Sequence, residues 1–468
     1  MVAVAASSPM IVFAGGIPTL YAQTGVRGVP LALLVTAAAV AVLLVGYVAV
    51  ARRLSHSAPF YAVWTTLGRP AGVAAGVLGL LVYAAIGASI LGLSGAALAA
   101  QFGGPWPVWA AVTLALVAVL NGSPAALNTG VIAVVQLSAI TVIALVDVVA
   151  LLTPADGVLS AGPWAPASLP VASLGLVAAF GIASYLGLDV VPAFAEEART
   201  ESTLARATAG AVLFTGLFYA VSAYAAAVAV GPARVAGLGG GVGQLLPFGF
   251  LQDRWWPLGA VLAGLGGVVL IASIAAAMVA FGTVFARYVY GLARDEVLPR
   301  RLARVGAGQR EGAPVGGAVL YGLVGGVLLV VFVAAGADPV TGMFTWLSVI
   351  AAVGLLVLLI GANVAALAYF HRRRAGVSWR VRVGFPVLAV VVGVAAFVVT
   401  VSHLDALLGV RSGSPLVWLV PGVCAIAVGV GVGRALRMRR SNPVAFARVG
   451  QRPDPFAAPD RQLSGLGV

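Results

Sequence analysis

Asp189, Glu196 and Glu197 stand out because each lies at or near the end of a long apolar run, where a carboxylate is costly. The stretch that leads to them, residues 171–199, reads VASLGLVAAFGIASYLGLDVVPAFAEEAR. Gly175, Gly181 and Gly187 weaken a helix there, and Ser184 and Tyr185 put hydroxyls beside the gap. A helix interrupted deep in an apolar setting leaves free N–H groups that hold a carboxylate and free C=O groups that hold a cation. The first apolar stretch has the same character: Ser7, Ser8 and Pro9 are followed by Gly15, Gly16 and Pro18. Pro9 removes a helix hydrogen bond, and the glycine pair softens the segment further. Two such gaps suit the holding of a small charged solute rather than the breaking of a bond. Asp189, one to two turns past the second gap, serves either ion or proton chemistry or a local bond that fixes the unwound backbone. Glu196 and Glu197 read as an inner gate latch or as a structural clamp, paired with Arg199 and Arg206 or with the arginines of 286–304. Asp147 is expected at the interface, near the outer end of its span.

Bond-breaking chemistry finds little support. His56, His371 and His403 fall near loops, and there is no His-Glu-x-x-His pair for zinc. The chain contains no lysine, which excludes a Walker A loop. Cys424 is alone, so no internal disulfide forms. No catalytic residue, metal or cofactor is expected.

The elements that must position these residues are membrane helices. Of 468 residues, 61% are hydrophobic and 9% charged, with a mean hydropathy of +1.08; soluble domains carry about 25% charged residues. Residues 70–146 contain no Asp, Glu, Lys or Arg, a run that must hold several spans of roughly 20 residues each. The fold class is all-α and polytopic. Twelve apolar segments are expected, at about 2–24, 30–50, 71–99, 105–120, 127–153, 171–195, 207–231, 257–285, 314–336, 342–369, 383–401 and 415–433. The opening residues lack a basic region before the apolar part, so they read as the first span and not as a cleaved signal.

The net charge of +13 follows the membrane and not a nucleic acid. With a cytoplasmic N-terminus and twelve spans, only Arg27, Arg234, Arg254 and Arg411 fall outside, and every other arginine falls inside. This is the arrangement that orients membrane proteins. Both termini are therefore expected in the cytoplasm of a bacterial cell, the protein being multi-pass in its cell membrane. Tryptophans in GGPWPVW (103–109) and DRWWP (253–257) suit anchors at the headgroup level. Two interrupted spans, the first and the sixth, hold matching positions if the chain is two inverted halves of five helices. The expected division is 1–153 and 154–370 for the halves, 383–433 for two further helices and 434–468 for a cytoplasmic tail.

Three stretches resemble the amino acid–polyamine–organocation permease superfamily. FGIASYLGLDVVPAFAEEAR (180–199) is similar to that family's sixth span, through Phe180, Gly187, Leu188, Asp189, Glu196 and Glu197. ARYVYGLARDEVLPRRLARV (286–305) resembles its loop after the eighth span, through Arg287, Tyr290, Arg294, Asp295, Leu298 and Pro299. SSPMIVFAGGIP, with SHSAPFYAVWTTLGRPAG at 55–72, resembles its first span and first inner loop. The resemblance implies a ten-helix inverted-repeat core plus two helices. It implies a substrate amino acid held between the broken spans, its carboxylate near Ser8 and Pro9 and its ammonium near the carbonyls of Phe180 to Ser184. Tyr83 would face it from the third span. The chain departs from the pattern after the Glu pair, where RTESTLARA has no Asn or Pro, and its fifth span has no lysine. Proton coupling is the default expectation, with sodium as the alternative. The implied function is secondary transport of amino acids by alternating access, as a symporter or antiporter. A polyamine or other organic-cation carrier of the same fold is the alternative, with a membrane-embedded enzyme behind both. The partners expected are the small-molecule substrate, its coupling ion and the lipid bilayer.

Overall fold

The computed structural model describes residues 8–54, 56–122, 125–194, 201–235, 258–304, 315–373 and 378–450. Ser7, Glu196, Glu197, Arg199, Trp255 and Trp256 lie outside the described residues.

The described chain is all-helical. The first apolar segment, α1, is a composite: a turn at Pro9–Ile11, a π-helical stretch at Val12–Gly16 and a helix at Ile17–Thr24. Then come α2 (Val29–Leu54), a short helix at Pro59–Trp64, α3 (Arg69–Phe102), α4 (Trp106–Asn121) and α5 (Ala125–Leu152). The sixth segment, α6 (Leu174–Ala183), gives way to a 3-10 stretch at Leu188–Phe194. It is followed by α7 (Glu201–Val230), α8 (Leu258–Arg294), α9 (Val315–Ala334) and α10 (Thr345–Arg372), the last preceded by a π-helical stretch at Pro339–Phe344. A second π-helical stretch, Arg380–Gly384, leads into α11 (Phe385–Ser402); α12 (Leu419–Ser441) and a short helix at Pro443–Ala447 complete the order.

Ten of these segments are long and apolar enough to cross a bilayer. α4, with 16 residues, is short for the roughly 20 a bilayer needs. α3 is 34 residues, about 50 Å at 1.5 Å per residue, so it must tilt or project beyond the hydrocarbon. The apolar window of α3 is 78% buried, against 22% for α11 and α12. α3 is therefore the central post, packed by α8, α10 and α12, and α11 and α12 turn most of their surface outward.

The helices follow the apolar runs, although α8 and α12 outlast theirs by several residues. The eighth apolar run ends near residue 285, but α8 continues to Arg294. Phe285, Tyr288, Val289 and Leu292 recur at three- and four-residue intervals and are buried, so the inward stripe outlasts the purely apolar stretch. Arg287 and Arg294 thus stand on a helix and not in a loop.

Candidate functional site

The two composition breaks become breaks in helix geometry. Ser8 takes a left-handed conformation (φ 44) just before Pro9, and its carbonyl accepts the N–H groups of Ile11 (2.9 Å) and Val12 (3.2 Å). Pro9 opens the helix where no donor is needed. The π-helical widening over Val12–Gly16 then carries Gly15 and Gly16.

In the sixth segment the α-helix ends at Ala183. The Ser184 N–H is shared between the carbonyls of Phe180 and Gly181, both at 3.1 Å, and the Ser184 hydroxyl donates to the Phe180 carbonyl at 3.0 Å. Gly187 has φ 105, a value that favours glycine, and it turns the chain into the 3-10 stretch. Asp189 secures that turn. One carboxylate oxygen accepts the Gly187 N–H at 3.0 Å, the other accepts the Tyr83 hydroxyl at 2.7 Å, and the Asp189 carbonyl accepts the Tyr47 hydroxyl at 3.3 Å. Of the two roles open to Asp189, these contacts are those of the local bond that holds the unwound backbone.

A cavity of about 100 Å³ lies between the breaks. Ser8, Ile11, Val12 and Gly16 form one wall, and Phe180, Ala183, Ser184 and Leu186 form the other. Ile86 and Ile90 of α3, Phe281 of α8, Phe344 to Ala352 around the start of α10, Thr400 of α11 and Leu407 close it. A Cβ on Gly16 would lie 3.6 Å from the Ser184 hydroxyl oxygen, so the two interrupted segments nearly touch here. The residues lining the cavity carry hydroxyls but no charged side chain. Two of those hydroxyls, Ser348 and Thr400, have no hydrogen-bond partner among the described residues, although their oxygens are buried. Both can bond to whatever occupies the cavity, water or solute.

The predicted residues divide by where they point. Ser8, Gly16, Phe180 and Ser184 line the cavity. Pro9 and Gly15 are buried beside it, with Gly15 facing Leu93 of α3. Gly181 packs on Thr36 of α2. Tyr185 turns away, donating its hydroxyl to the Leu33 carbonyl at 2.8 Å and leaning on Tyr219. Tyr83 lies one helical turn from Ile86, engaged with Asp189 and Tyr288. Asp189 is 2% exposed and does not line the cavity.

Tyr83, Tyr288, Tyr47 and Phe60 form a buried aromatic layer on the arginine-rich side of the cavity. Tyr83 and Tyr288 have ring centroids 5.2 Å apart, Tyr47 stacks on Phe60 at 4.2 Å, and the Phe60 N–H donates to the Tyr288 hydroxyl at 3.1 Å. Arg287 ties α8 to the unwound segment by donating to the Ala193 carbonyl at 2.9 Å. Arg294 stands farther out, 3.1 Å from a ring nitrogen of His56 and 3.7 Å from the Asp295 carboxylate. That carboxylate accepts the Tyr61 hydroxyl (2.7 Å) and the Gly450 N–H (2.8 Å). Burial, and then the neighbouring Asp295 carboxylate, hold the Tyr61 phenol well above its usual range, so it stays a donor. Asp147, near the end of α5, is buried within the protein, and its carboxylate accepts the Ser222 hydroxyl of α7 at 2.6 Å.

Sequence reasoning missed Ser348, Thr400 and Phe344, because small hydroxyls and a lone aromatic in apolar spans look like ordinary packing residues. No group of three or more His, Cys, Asp or Glu side chains suited to a metal occurs among the described residues.

Residues 1–428 match the family model described as amino acid permease. No match was found among curated proteins.

Proposed function

Because the chain belongs to the amino acid permease family, a family of membrane transporters and not of enzymes, we propose that it carries amino acids across the plasma membrane by alternating access. The observation that carries this reading is the cavity between the two interrupted segments. A helix start presents partial positive charge and a helix end partial negative charge. α1 begins at Ser8–Pro9 and α6 ends at Ala183–Ser184 on facing walls. An α-amino acid is a zwitterion, so its carboxylate suits the α1 start and its ammonium the α6 end. The charge-free lining leaves both ionic groups to helix ends, and Ser348 and Thr400 add hydroxyl contacts. The Phe180 carbonyl already accepts two hydrogen bonds from Ser184, so the ammonium is taken by the carbonyls nearer the turn.

Ser7, Ser8, Pro9, Gly15, Gly16, Phe180, Gly181, Ser184 and Gly187 build this site, by side chain or by backbone, with Tyr83, Tyr185 and Asp189 as the supports that hold it in shape. The aromatic layer, with Arg287, Arg294, Glu196 and Glu197, forms the inner gate. The core is two inverted halves of five helices, with α11 and α12 added, and both termini are cytoplasmic in a bacterial cell. Proton coupling is the default. A polyamine or other organic-cation substrate would need acids facing it, and none lines the cavity.

Uptake by proteoliposomes tests the reading. A panel of radiolabelled amino acids and polyamines is offered under an imposed proton or sodium gradient. Accumulation of amino acids, lost when Gly16 is replaced by Leu, is the expected result. Accumulation of polyamines alone, or uptake unaffected by Gly16→Leu, overturns it.

A further inference from the structure

A second cavity, of about 460 Å³, shares no lining residue with the central one and lies between α2 and α7. Its floor is made of small side chains, and the helices approach closely there: a Cβ on Gly216 would lie 2.6 Å from the Ala37 Cβ. Leu213 lines it and is 66% exposed, so the groove opens toward the membrane. Along α2 the lining runs from Leu34 to Arg52, about 27 Å at 1.5 Å per residue. The hydrocarbon core of a bilayer is roughly 30 Å thick, about half of it in each leaflet, so the trough is long enough to take the whole acyl chain of a lipid from one leaflet.

The two ends of the groove differ. The Leu34 end is apolar, while at the other end Arg52 is part of the wall. Ala205 and Val381 line the groove as well, and the arginines next to them in sequence, Arg206 and Arg380, are exposed. Among the described residues, no acidic side chain lines the groove. One apolar trough with cationic groups at a single end matches an amphiphile with a long tail and a negative head. Guanidinium groups bind phosphate oxygens in paired hydrogen bonds, and basic pockets between helices at a membrane surface recruit anionic headgroups.

We propose that the α2–α7 groove is a binding site for one anionic phospholipid of the arginine-rich leaflet, its acyl chain along the trough and its phosphate at Arg52, flanked by Arg206 and Arg380. The proposal does not depend on which solute the central cavity carries. An inner-leaflet lipid at this place touches α2 and α7 together, and so steadies the pair that brackets Tyr185 and the sixth segment.

The test uses the full chain in detergent, delipidated and then given phosphatidylglycerol or phosphatidylcholine, with retained lipid counted by native mass spectrometry. Phosphatidylglycerol is expected to be retained over phosphatidylcholine. Each arginine near a membrane surface contributes about fivefold to anionic lipid binding. The double variant R52Q/R380Q should therefore lose about 25-fold in phosphatidylglycerol retention, while phosphatidylcholine, whose phosphate is offset by its choline, should lose much less. Arg52→Lys, which keeps the charge, should retain the preference, and Ala41→Trp, which fills the trough, should weaken retention of both lipids. The thermal shift produced by phosphatidylglycerol over phosphatidylcholine gives a second reading, because it compares each variant with itself. Equal retention of the two lipids, an unchanged preference in R52Q/R380Q, or a dimer that Ala41→Trp dissolves (a second copy as occupant) overturns the proposal.

Discussion

Replacing Ser348 with Ala and Thr400 with Val removes two hydroxyls that face the central cavity and lack hydrogen-bond partners among the described residues. The transport reading assigns them to the substrate, and this leads to effects of opposite sign on function and on stability. Neither hydroxyl has a protein partner among the described residues, so deleting it breaks no hydrogen bond within the protein. Deleting it should leave the stability unchanged or raise it, and Thr400→Val, which keeps the shape and is almost fully buried, should raise it most. With substrate bound, a hydroxyl that bonds to a charged group of an amino acid contributes about 1.5–3 kcal/mol, which corresponds to a rise in KM of about 10- to 150-fold. A bond to a neutral group contributes about 0.5–1.5 kcal/mol, a rise of roughly 2- to 13-fold. The assay pairs initial uptake rates in proteoliposomes with thermal unfolding in detergent without substrate. A raised KM together with an unchanged or raised melting temperature is the expected pattern. A lowered melting temperature with an unchanged KM would show that the hydroxyls hold the protein together, and would refute the assignment of this wall to the substrate.

Asp189→Ala should be costly, because it leaves the Tyr83 hydroxyl and the Gly187 N–H buried without their acceptor; at about 1–3 kcal/mol for each group the loss reaches about 2–6 kcal/mol, read as a lowered melting temperature, and Tyr83→Phe should cost about half as much. Arg434→Ala removes a donor pair to the carbonyls of Val297 (2.8 Å) and Glu296 (2.9 Å), the link between α12 and the segment after α8. It should lower stability by about 1.5–3 kcal/mol and speed proteolytic cleavage near residue 300, whereas unchanged cleavage would show the link to be dispensable. Asp405, outside the spanning helices, has its carboxyl held below the usual range by the Ser412 hydroxyl and the Ala406 N–H. A lowered folded-state pKa gives stability that is present above the unfolded value of about 3.9 and is lost as pH falls through the folded value. Wild type should thus exceed Asp405→Asn in melting temperature near neutral pH, and the gap should close in acid; a gap that widened in acid would contradict the assignment.

How much could be read before any coordinates follows from which signals are periodic and which are pairwise. Runs of apolar residues mark membrane helices because lipid admits no unpaired backbone, and so the segments from residues 29–54 to 419–441 overlap the apolar runs, with α8 and α12 extending eight or nine residues past theirs. The breaks were legible for a related reason: Ser8 with Pro9, and Gly187 with Asp189, are the residues that tolerate or repair a missing helix bond, and they do so in the fold. The family followed from Gly187, Asp189 and the 286–305 motif, and the match over residues 1–428 bears it out. What stayed hidden depends on direction around a helix axis. In an all-apolar span the moment is nearly featureless, so nothing told Gly16, which faces Ser184, from Gly15, which faces Leu93, or Ser184, which lines the cavity, from Tyr185, which bonds to Leu33.

Asp189 shows the same limit in charge. Its type and its cost in lipid set it apart in the sequence, but its surroundings depend on two donors 106 residues and 2 residues away in the chain. The contacts settle its surroundings: both oxygens accept hydrogen bonds, from a phenol and from the amide of the turn that follows the break. A carboxylate so occupied makes the unwound backbone a fixed shape rather than a flexible one. The helix end at Ser184 can then present its carbonyls to the cavity in one orientation, the pre-organisation that the proposed binding of a zwitterion in a charge-free pocket requires.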